Sequence, residues 1–447
     1  MPAPRRLAAE SIPACAKRGG SRRDGSGVMK VAVVAEYYPR ADDPVLGIWA
    51  HRQAMAVQEL GAEVRVLVLH RPLPPIAAAR SLDVSALARA LRQPARAVID
   101  GIDVHYVRYL SPPRPWSYGS WGMWAAPALA LALRRLRNEF AFELVHAHNA
   151  VPAGDAVRRA APRVPLVVSV HGGDVYATSA ARIGARAVRA TLAHARLALA
   201  NSAGTARRCA EHGARTTRVV HLGAELPPAA EVPPAAAVAP GAELPPAAEV
   251  PPAAAVAPLS LAGATLITVG HLIPRKRHAD VIAALARLRT RHPDLRYVIV
   301  GDGPERGRLR RLAGAFGVAD RVDLRGQLPP EEAAACGRSA SVFVLPSVNE
   351  AFGVAYVEAM AGGVPAIGCR GEDGPEEIAA AGGGIVLVPP GDVDALAAQI
   401  DALLTDPNRR SALGREAAAT VRRAFTWERC GTETLAAYRD AVLMVGR

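Results

Sequence analysis

The chain has 447 residues, of which 50% are hydrophobic and 21% charged, and a net charge of +13. That length predicts two domains plus extra segments, and the hydrophobic share excludes wholesale disorder. No stretch approaches the roughly 18–20 uninterrupted apolar residues that a membrane-spanning helix needs, because Met123–Leu133 is broken by Pro127 and closed by Arg134 and Arg135. The cysteines (Cys15, Cys209, Cys336, Cys369, Cys430) form no CxxC pair, so neither a disulfide scaffold nor a zinc site is expected, and they read as reduced thiols in a cytoplasmic protein.

The charge is uneven along the chain. Residues 30–222 hold 25 Lys and Arg against 13 Asp and Glu, whereas residues 223–447 hold 23 against 26. Two readings stand: a surface that meets something anionic, or an arginine-rich composition with no partner. Residues 1–28 carry six basic side chains among Gly and Ser, without the apolar run of a secretory signal. They are predicted to be a disordered, dispensable basic tail, with translation able to begin at Met29.

From Lys30 onward, strand-like runs alternate with helical patterns: Val31–Ala35, Val64–Leu69, Ile102–Val107, Leu144–His146, Leu166–Val170 and Leu197–Ala200. These runs are almost wholly apolar, as strands buried on both faces of a parallel sheet are. The same grammar restarts at Thr265–Val269 and continues through Tyr297–Val300, Val322–Leu324, Val342–Leu345 and Ile385–Val388. Two doubly wound α/β domains in series are expected. Between them Gly223–Pro240 reads GAELPPAAEVPPAAAVAP, and Gly241–Pro258 repeats it without a change. Tandem prolines favour extended polyproline II and cannot join a sheet, so the repeat is expected to be a solvated linker insertion.

The stretch Leu345–Gly368, LPSVNEAFGVAYVEAMAGGVPAIG, reads as a strand end, a loop, and a helix that begins near Gly353 and stops at Gly362 and Gly363. The amides of Phe352, Gly353 and Val354 would then be the free donors of a helix start, an arrangement suited to a diphosphate. Glu350 and Glu358 are eight residues apart, so on a helix both can address one cleft and accept from sugar hydroxyls. The bland alternative is that Glu350 favours the helix dipole while Glu358 is solvated.

Glu, seven residues, Glu, framed by PS, AFGV and EAMAGGVPAIG, resembles the donor-site signature of retaining GT-B glycosyltransferases of the family 4 type. The likeness spans about residues 30–440 and includes VGHLIPRKRH (Val269–His278), VIVGDGPERGRL (Val298–Leu309), GEDGPEEI (Gly371–Ile378), LVHAH (Leu144–His148) and VHGGDVY (Val170–Tyr176). It implies the GT-B fold, two Rossmann-like domains facing across a cleft, and transfer of a sugar from a nucleotide-sugar with retention of configuration.

On that resemblance, residues 29–222 form the N-terminal, acceptor-side domain, 223–258 the duplicated linker, 259–425 the C-terminal nucleotide-sugar domain, and 426–447 a helix returning to the N-terminal domain. Glu350 would hold hydroxyls of the transferred sugar, Glu358 the ribose, and Lys276 the diphosphate. Arg275 and Arg277 flank Lys276, and His271 stands where the family often has arginine. His171, after the strand Leu166–Val170, would lie against the sugar, with Asp174 orienting either its loop or His171 itself. Gly47 corresponds to the family's glycine-containing loop near donor and acceptor. No cofactor and no metal are implied. His146 and His148 are read as facing opposite ways, and not as a metal pair.

For the acceptor, Arg71, Arg80, Arg89, Arg92 and Arg96, followed by Trp116, Tyr118, Trp121 and Trp124 ahead of Arg134, Arg135 and Arg137, read either as a face for anionic lipid or as a solvated helix plus core aromatics. A nucleic-acid partner is not expected, since no binding motif accompanies the charge. The expected function is therefore a hexosyltransferase acting on a glycan, lipid-linked or small-molecule acceptor, cytoplasmic or at the inner membrane face. The alternative is a non-catalytic nucleotide-sugar-binding protein of the same fold.

Overall fold

The computed structural model describes residues 28–41, 43–73, 92–114, 117–227 and 263–444. The basic tail, most of the duplicated repeat, Arg80, Arg89 and Trp116 lie outside the described residues.

Two sheets form. The first contains β1 (Lys30–Ala35), β2 (Glu63–His70), β3 (Arg96–Ile99), β4 (Ile102–Arg108), β5 (Leu144–His148), β6 (Leu166–Val170), β7 (Leu197–Ala200) and β8 (Thr217–Val219), in the order β3-β4-β2-β1-β5-β6-β7-β8. The second contains β9 (Thr265–Val269), β10 (Arg296–Val300), β11 (Val322–Gly326), β12 (Val342–Val344), β13 (Ala366–Cys369) and β14 (Ile385–Val388), in the order β11-β10-β9-β12-β13-β14. Among the described residues, every pairing between these strands is parallel except β3 with β4. Val31, Val33 and Ala35 pack into one layer and Ala32 and Val34 into the opposite one, so β1 is covered on both faces, as its unbroken apolar run predicts.

Three strands, β3, β8 and β13, have no counterpart among the predicted apolar runs. β3 is an exposed edge strand, turned back on β4 through Asp100 and Gly101, both in the left-handed region at φ 46° and 76°. That is the geometry of a two-residue hairpin, and the Asp-Gly pair was its signal. β8 is polar over two of its three residues, Thr217 and Arg218, and β13 is interrupted by Gly368, so neither shows the apolar run of a buried strand.

In each sheet the chain winds one way from the central strand and then returns to the other side. The reversal falls between β1 and β5 in the first sheet and between β9 and β12 in the second. Such reversals open a crevice at the carboxyl ends of the strands, where ligands bind in open α/β sheets.

Six helices matter for the site: α1 (Ile48–Glu59), α2 (Trp121–Glu139), α3 (Ala203–Glu211), α4 (Val354–Ala361), α5 (Asp373–Ala381) and α6 (Trp427–Leu443). α6, the last of them, lies against α1 of the first domain. Gly431 lets it come close, because a Cβ there would stand 2.6 Å from the Ala56 carbonyl oxygen. Gln53 Nε2 donates to Thr434 Oγ1 at 2.8 Å, and fully buried Tyr438 fills the layer beneath β5. Burying a ring of that size is worth roughly 2–3 kcal/mol.

The domains also meet directly at α5. Asp373 accepts from the Tyr176 hydroxyl and pairs with Arg207 and Arg208 of α3. Glu377 takes His221 Nε2 at 2.7 Å and the Ala203 amide at 3.0 Å.

Candidate active site

The second domain contributes its part of the site at the carboxyl ends of β9 and β12. Lys276 ends a short 3-10 turn after β9, and its Nζ lies 2.6 Å from Glu350 Oε2; Arg275 Nη1 lies 3.3 Å from the same oxygen. Glu350 is buried. Burial by itself would raise its pKa, but Lys276 and then Arg275 more than offset this and hold the carboxyl below its ordinary value. Its backbone is clamped as well, the amide donating to Glu372 at 2.9 Å and the carbonyl accepting from the Gly374 amide at 2.8 Å.

α4 starts just beyond, capped by Gly353 at φ 85°, where a Cβ would strike the Tyr356 ring at 2.5 Å. The amides of Phe352, Gly353 and Val354 have no hydrogen-bond partner among the described residues, so donors for an anion stand beside Lys276. The Phe352 side chain points elsewhere, into a stack with His221 and Phe425 where the domains join. His271 is exposed and turns its Nδ1 to the Asp302 carbonyl at 3.1 Å.

Glu358 lines a cavity of about 230 Å³ between the domains, with Ile48, Trp49 and Arg52 of α1 on one wall and Arg338, Val354 and Glu358 on the other. Burial raises its carboxyl to about 7, against the pull of Arg338 and Arg52. Trp49 and Arg52 were not singled out from the sequence. They are reached because Gly47, left-handed at φ 66°, packs its Cα onto the Tyr37 backbone and starts α1 in that direction. Gly47 itself is buried under the loop.

In the first domain, His171 stands at the carboxyl end of β6. Gly172, at φ 100°, brings that loop against the second domain, since a Cβ on it would lie 2.4 Å from the Ala351 Cβ. The loops that carry His171 and Glu350 therefore touch. Asp174 does not hold His171: it accepts from the Asn149 side chain at 3.2 Å and from the amides of Ala150 and Val151 at 3.0 and 3.1 Å, which orders the segment after β5.

Contrary to the expectation from the sequence, the rings of His146 and His148 do not face opposite ways. Residues two apart on a strand share a face, so His146 and His148 lie together with ring centroids 4.4 Å apart instead of facing opposite ways. His148 Nδ1 meets His171 Nε2 at 3.0 Å with the two rings nearly parallel, and His146 bridges Tyr438 of α6 and Ser169. Burial draws His171 down to about 4 and His146 to about 3, so the cluster is neutral at pH 7. Trp49 packs edge-on against His171 at 6.0 Å, linking the histidines to the cavity at Glu358.

Of the basic and aromatic stretch, Trp121 is a core residue, whereas Trp124, Met123 and Leu131 are exposed on the outer side of α2 ahead of Arg134 and Arg135.

A two-domain fold with a lysine–carboxylate pair and free helix-start amides at one switch point, and a histidine loop at the end of β6, one strand beyond the other, is the GT-B architecture. Known proteins agree. Residues 258–420 match the family model "Glycosyl transferases group 1" and residues 46–226 the model "Glycosyltransferase Family 4". The chain belongs to the group 1 glycosyltransferases with the GT-B fold.

Among curated relatives, an exopolysaccharide phosphotransferase of Streptomyces coelicolor is 38% identical over 159 residues, 35% of this chain and 17% of that protein. A GDP-mannose-dependent alpha-(1-6)-phosphatidylinositol monomannoside mannosyltransferase of Mycolicibacterium smegmatis is 37% identical over 156 residues, 33% of this chain and 41% of that one. The matches thus span less than half of either relative. Among solved structures, sucrose-phosphate synthase from Thermosynechococcus elongatus superposes with a TM-score of 0.69 at 19% identity, covering 94% of this chain and all of that one. Anabaena HepE in complex with UDP and glucose does so with 0.64 at 18% identity, covering 92% of this chain and all of that one. These likenesses concern the fold.

Proposed function

We propose that this protein is a retaining, metal-independent hexosyltransferase. It would move a sugar from a nucleotide-sugar to a glycan, lipid-linked or small-molecule acceptor in cell-envelope polysaccharide or glycolipid synthesis. The observation that carries this reading is the meeting of the Lys276–Glu350 pair with the His171 loop across the Gly172–Ala351 contact. A diphosphate would share Lys276, Arg275 and the amides at the start of α4; the transferred sugar would take Glu350 and face His171; the ribose would reach Glu358 in the interdomain cavity. Negative charge grows on the leaving phosphate as the glycosidic bond breaks, and fixed donors stabilise it there. The donor's own phosphate oxygen accepts the acceptor's proton, so no side chain need act as a strong base. The mannosyltransferase relative and the UDP–glucose complex name different bases, which makes a thermal-shift panel of nucleotide-sugars the first experiment. Stabilisation by one donor followed by turnover supports an enzyme. Stabilisation without turnover supports the binding-protein alternative.

We further propose that the protein works in the cytoplasm at the inner face of the membrane. No helix among the described residues is long and apolar enough to cross one. The outer side of α2 instead presents Met123, Trp124 and Leu131 beside Arg134 and Arg135, an amphipathic face suited to anionic lipid. Replacing Trp124, Arg134 and Arg135 with Ser should reduce co-sedimentation with anionic liposomes at low salt and spare nucleotide binding. Unchanged sedimentation would remove the membrane reading.

A further inference from the structure

A second charged centre lies at the carboxyl ends of β1, β2 and β4, on the acceptor side of the cleft. Glu36 follows β1 and is buried; it accepts from the Tyr118 hydroxyl at 2.7 Å and pairs with Arg114 at 3.0 Å. Arg114 also donates to the Tyr37 hydroxyl at 2.7 Å, and its guanidinium carbon lies over the Tyr118 ring, 3.8 Å from the centroid. Arg71, just after β2, donates its Nε and Nη2 to Ser111, and Arg40 donates to the Glu36 carbonyl. The guanidinium groups of Arg71 and Arg114 both lie against the Trp121 ring, at 5.2 and 5.0 Å from its centroid.

In the midst of these groups is Tyr109. Its side chain is 5% exposed, its hydroxyl is buried without a hydrogen-bond partner among the described residues, and the charges acting on it are Glu36, Arg114, Arg71 and Arg40. The Arg40 Nε is likewise buried and unpartnered. Such orphaned donors are uncommon in folded proteins and call for an explanation. Three guanidinium groups face one paired carboxylate here, and the remaining N–H groups of Arg114 and the Nη1 of Arg71 have no partner among the described residues. A chain of rings runs from this centre to the histidine cluster: Tyr37 to Trp49 at 6.4 Å, and Trp49 to His171 at 6.0 Å.

We propose that Arg114, Arg71, Arg40 and the Tyr109 hydroxyl form a receptor for a phosphate group carried by the acceptor. Converging guanidinium forks suit a tetrahedral oxyanion, whereas a planar carboxylate is satisfied by a single fork. Aromatic faces and Glu36 hold Arg114 in place beforehand, so little side-chain freedom is lost on binding. The proposal rests on the glycosyltransferase reading of the cleft and gives it an acceptor class. The phosphate is either that of a soluble sugar or polyol phosphate or that of a lipid headgroup.

The test uses the full chain with UDP or GDP held at saturation, so that the Lys276 site is filled. Glycerol 3-phosphate and glycerol are titrated while the fluorescence of Trp121 and its neighbours is followed. Saturable binding of glycerol 3-phosphate, none of glycerol, and a loss of about tenfold or more in each of Arg114→Gln, Arg71→Gln and Tyr109→Phe are expected, with nucleotide affinity retained. Arg114→Lys, which keeps the charge and loses the fork, should recover only part of the affinity and serves if the Gln variant does not fold. A parallel arm uses vesicles of phosphatidylcholine with and without phosphatidic acid. Loss of phosphatidic-acid-dependent binding in the same variants assigns the phosphate to a lipid; loss confined to glycerol 3-phosphate assigns it to a soluble acceptor. Failure of UDP and GDP to bind at all counts against the donor reading instead. Nucleotide binding with glycerol 3-phosphate and vesicle affinities indifferent to all three residues, or glycerol 3-phosphate that binds only by displacing the nucleotide, overturns the proposal.

Discussion

Lys276 Nζ and Glu350 Oε2 lie 2.6 Å apart, and both side chains are about nine-tenths buried. Breaking such a pair from one side strands the other charge, which costs more than removing both. Lys276→Ala should therefore destabilise the protein by about 3 kcal/mol, and Lys276→Ala with Glu350→Gln by less. Denaturant melts of the two single variants and the double variant measure the coupling. Additive losses would mean that the pair is not coupled.

Glu358 supplies a pH dependence. Its carboxyl is raised to about 7, so near pH 6 it is mostly protonated and near pH 8 mostly ionised. If the ionised form accepts the ribose hydroxyls, affinity for a nucleoside monophosphate or diphosphate should rise by about tenfold between those values. Glu358→Gln should flatten this component. A profile identical in wild type and variant would separate Glu358 from the nucleotide.

The buried histidines predict acid sensitivity with a definite sign. His171 and His146 titrate near 4 and 3 in the fold, below the roughly 6.5 of an unfolded histidine, so the unfolded chain binds more protons as the pH drops. Stability from these groups is complete above pH 6.5 and is lost as the pH falls toward 4, by about 2 kcal/mol per histidine at pH 5. Replacing His171 with Asn should make the loss between pH 7 and pH 5 shallower, as read by thermal melting. An unchanged slope would contradict it.

Gly47 tests the loop that aims α1 at the cleft. A Cβ there would sit 2.2 Å from the Tyr37 carbonyl carbon, and φ is 66°. Gly47→Ala should cost about 1–3 kcal/mol. It should also weaken nucleotide binding by displacing Trp49 and Arg52. Wild-type melting and binding would show that the loop yields without cost.

The long apolar runs made the two-sheet fold legible, because β1, β5, β6, β9 and β10 are buried on both faces and so look alike in sequence. The residues proposed for the donor were nameable for a related reason: Lys276, Glu350 and Glu358 belong to continuous motifs, and the Lys276–Glu350 pairing joins two of them across the β9–β12 switch. The missed residues come together only in three dimensions. Trp49 and Arg52 reach the cavity through a left-handed Gly47, and Tyr109 collects Arg40, Arg71 and Arg114 from separate strand ends. The His146–His148 error was one of period, since a spacing of two on a strand places side chains on one face.

Whether the second-domain switch point is a sugar-nucleotide site with divided roles is decided by one series. Isothermal titration of the nucleoside diphosphate is combined with single-turnover transfer for Glu358→Gln, Glu350→Gln and Lys276→Ala. Glu358→Gln should weaken diphosphate and donor alike. Glu350→Gln should spare the free diphosphate and slow transfer, because only the donor carries the sugar it holds. Lys276→Ala should slow the chemical step by roughly 10²-fold or more, beyond its effect on binding. Equal, small effects from all three substitutions would contradict the assignment and place the donor elsewhere.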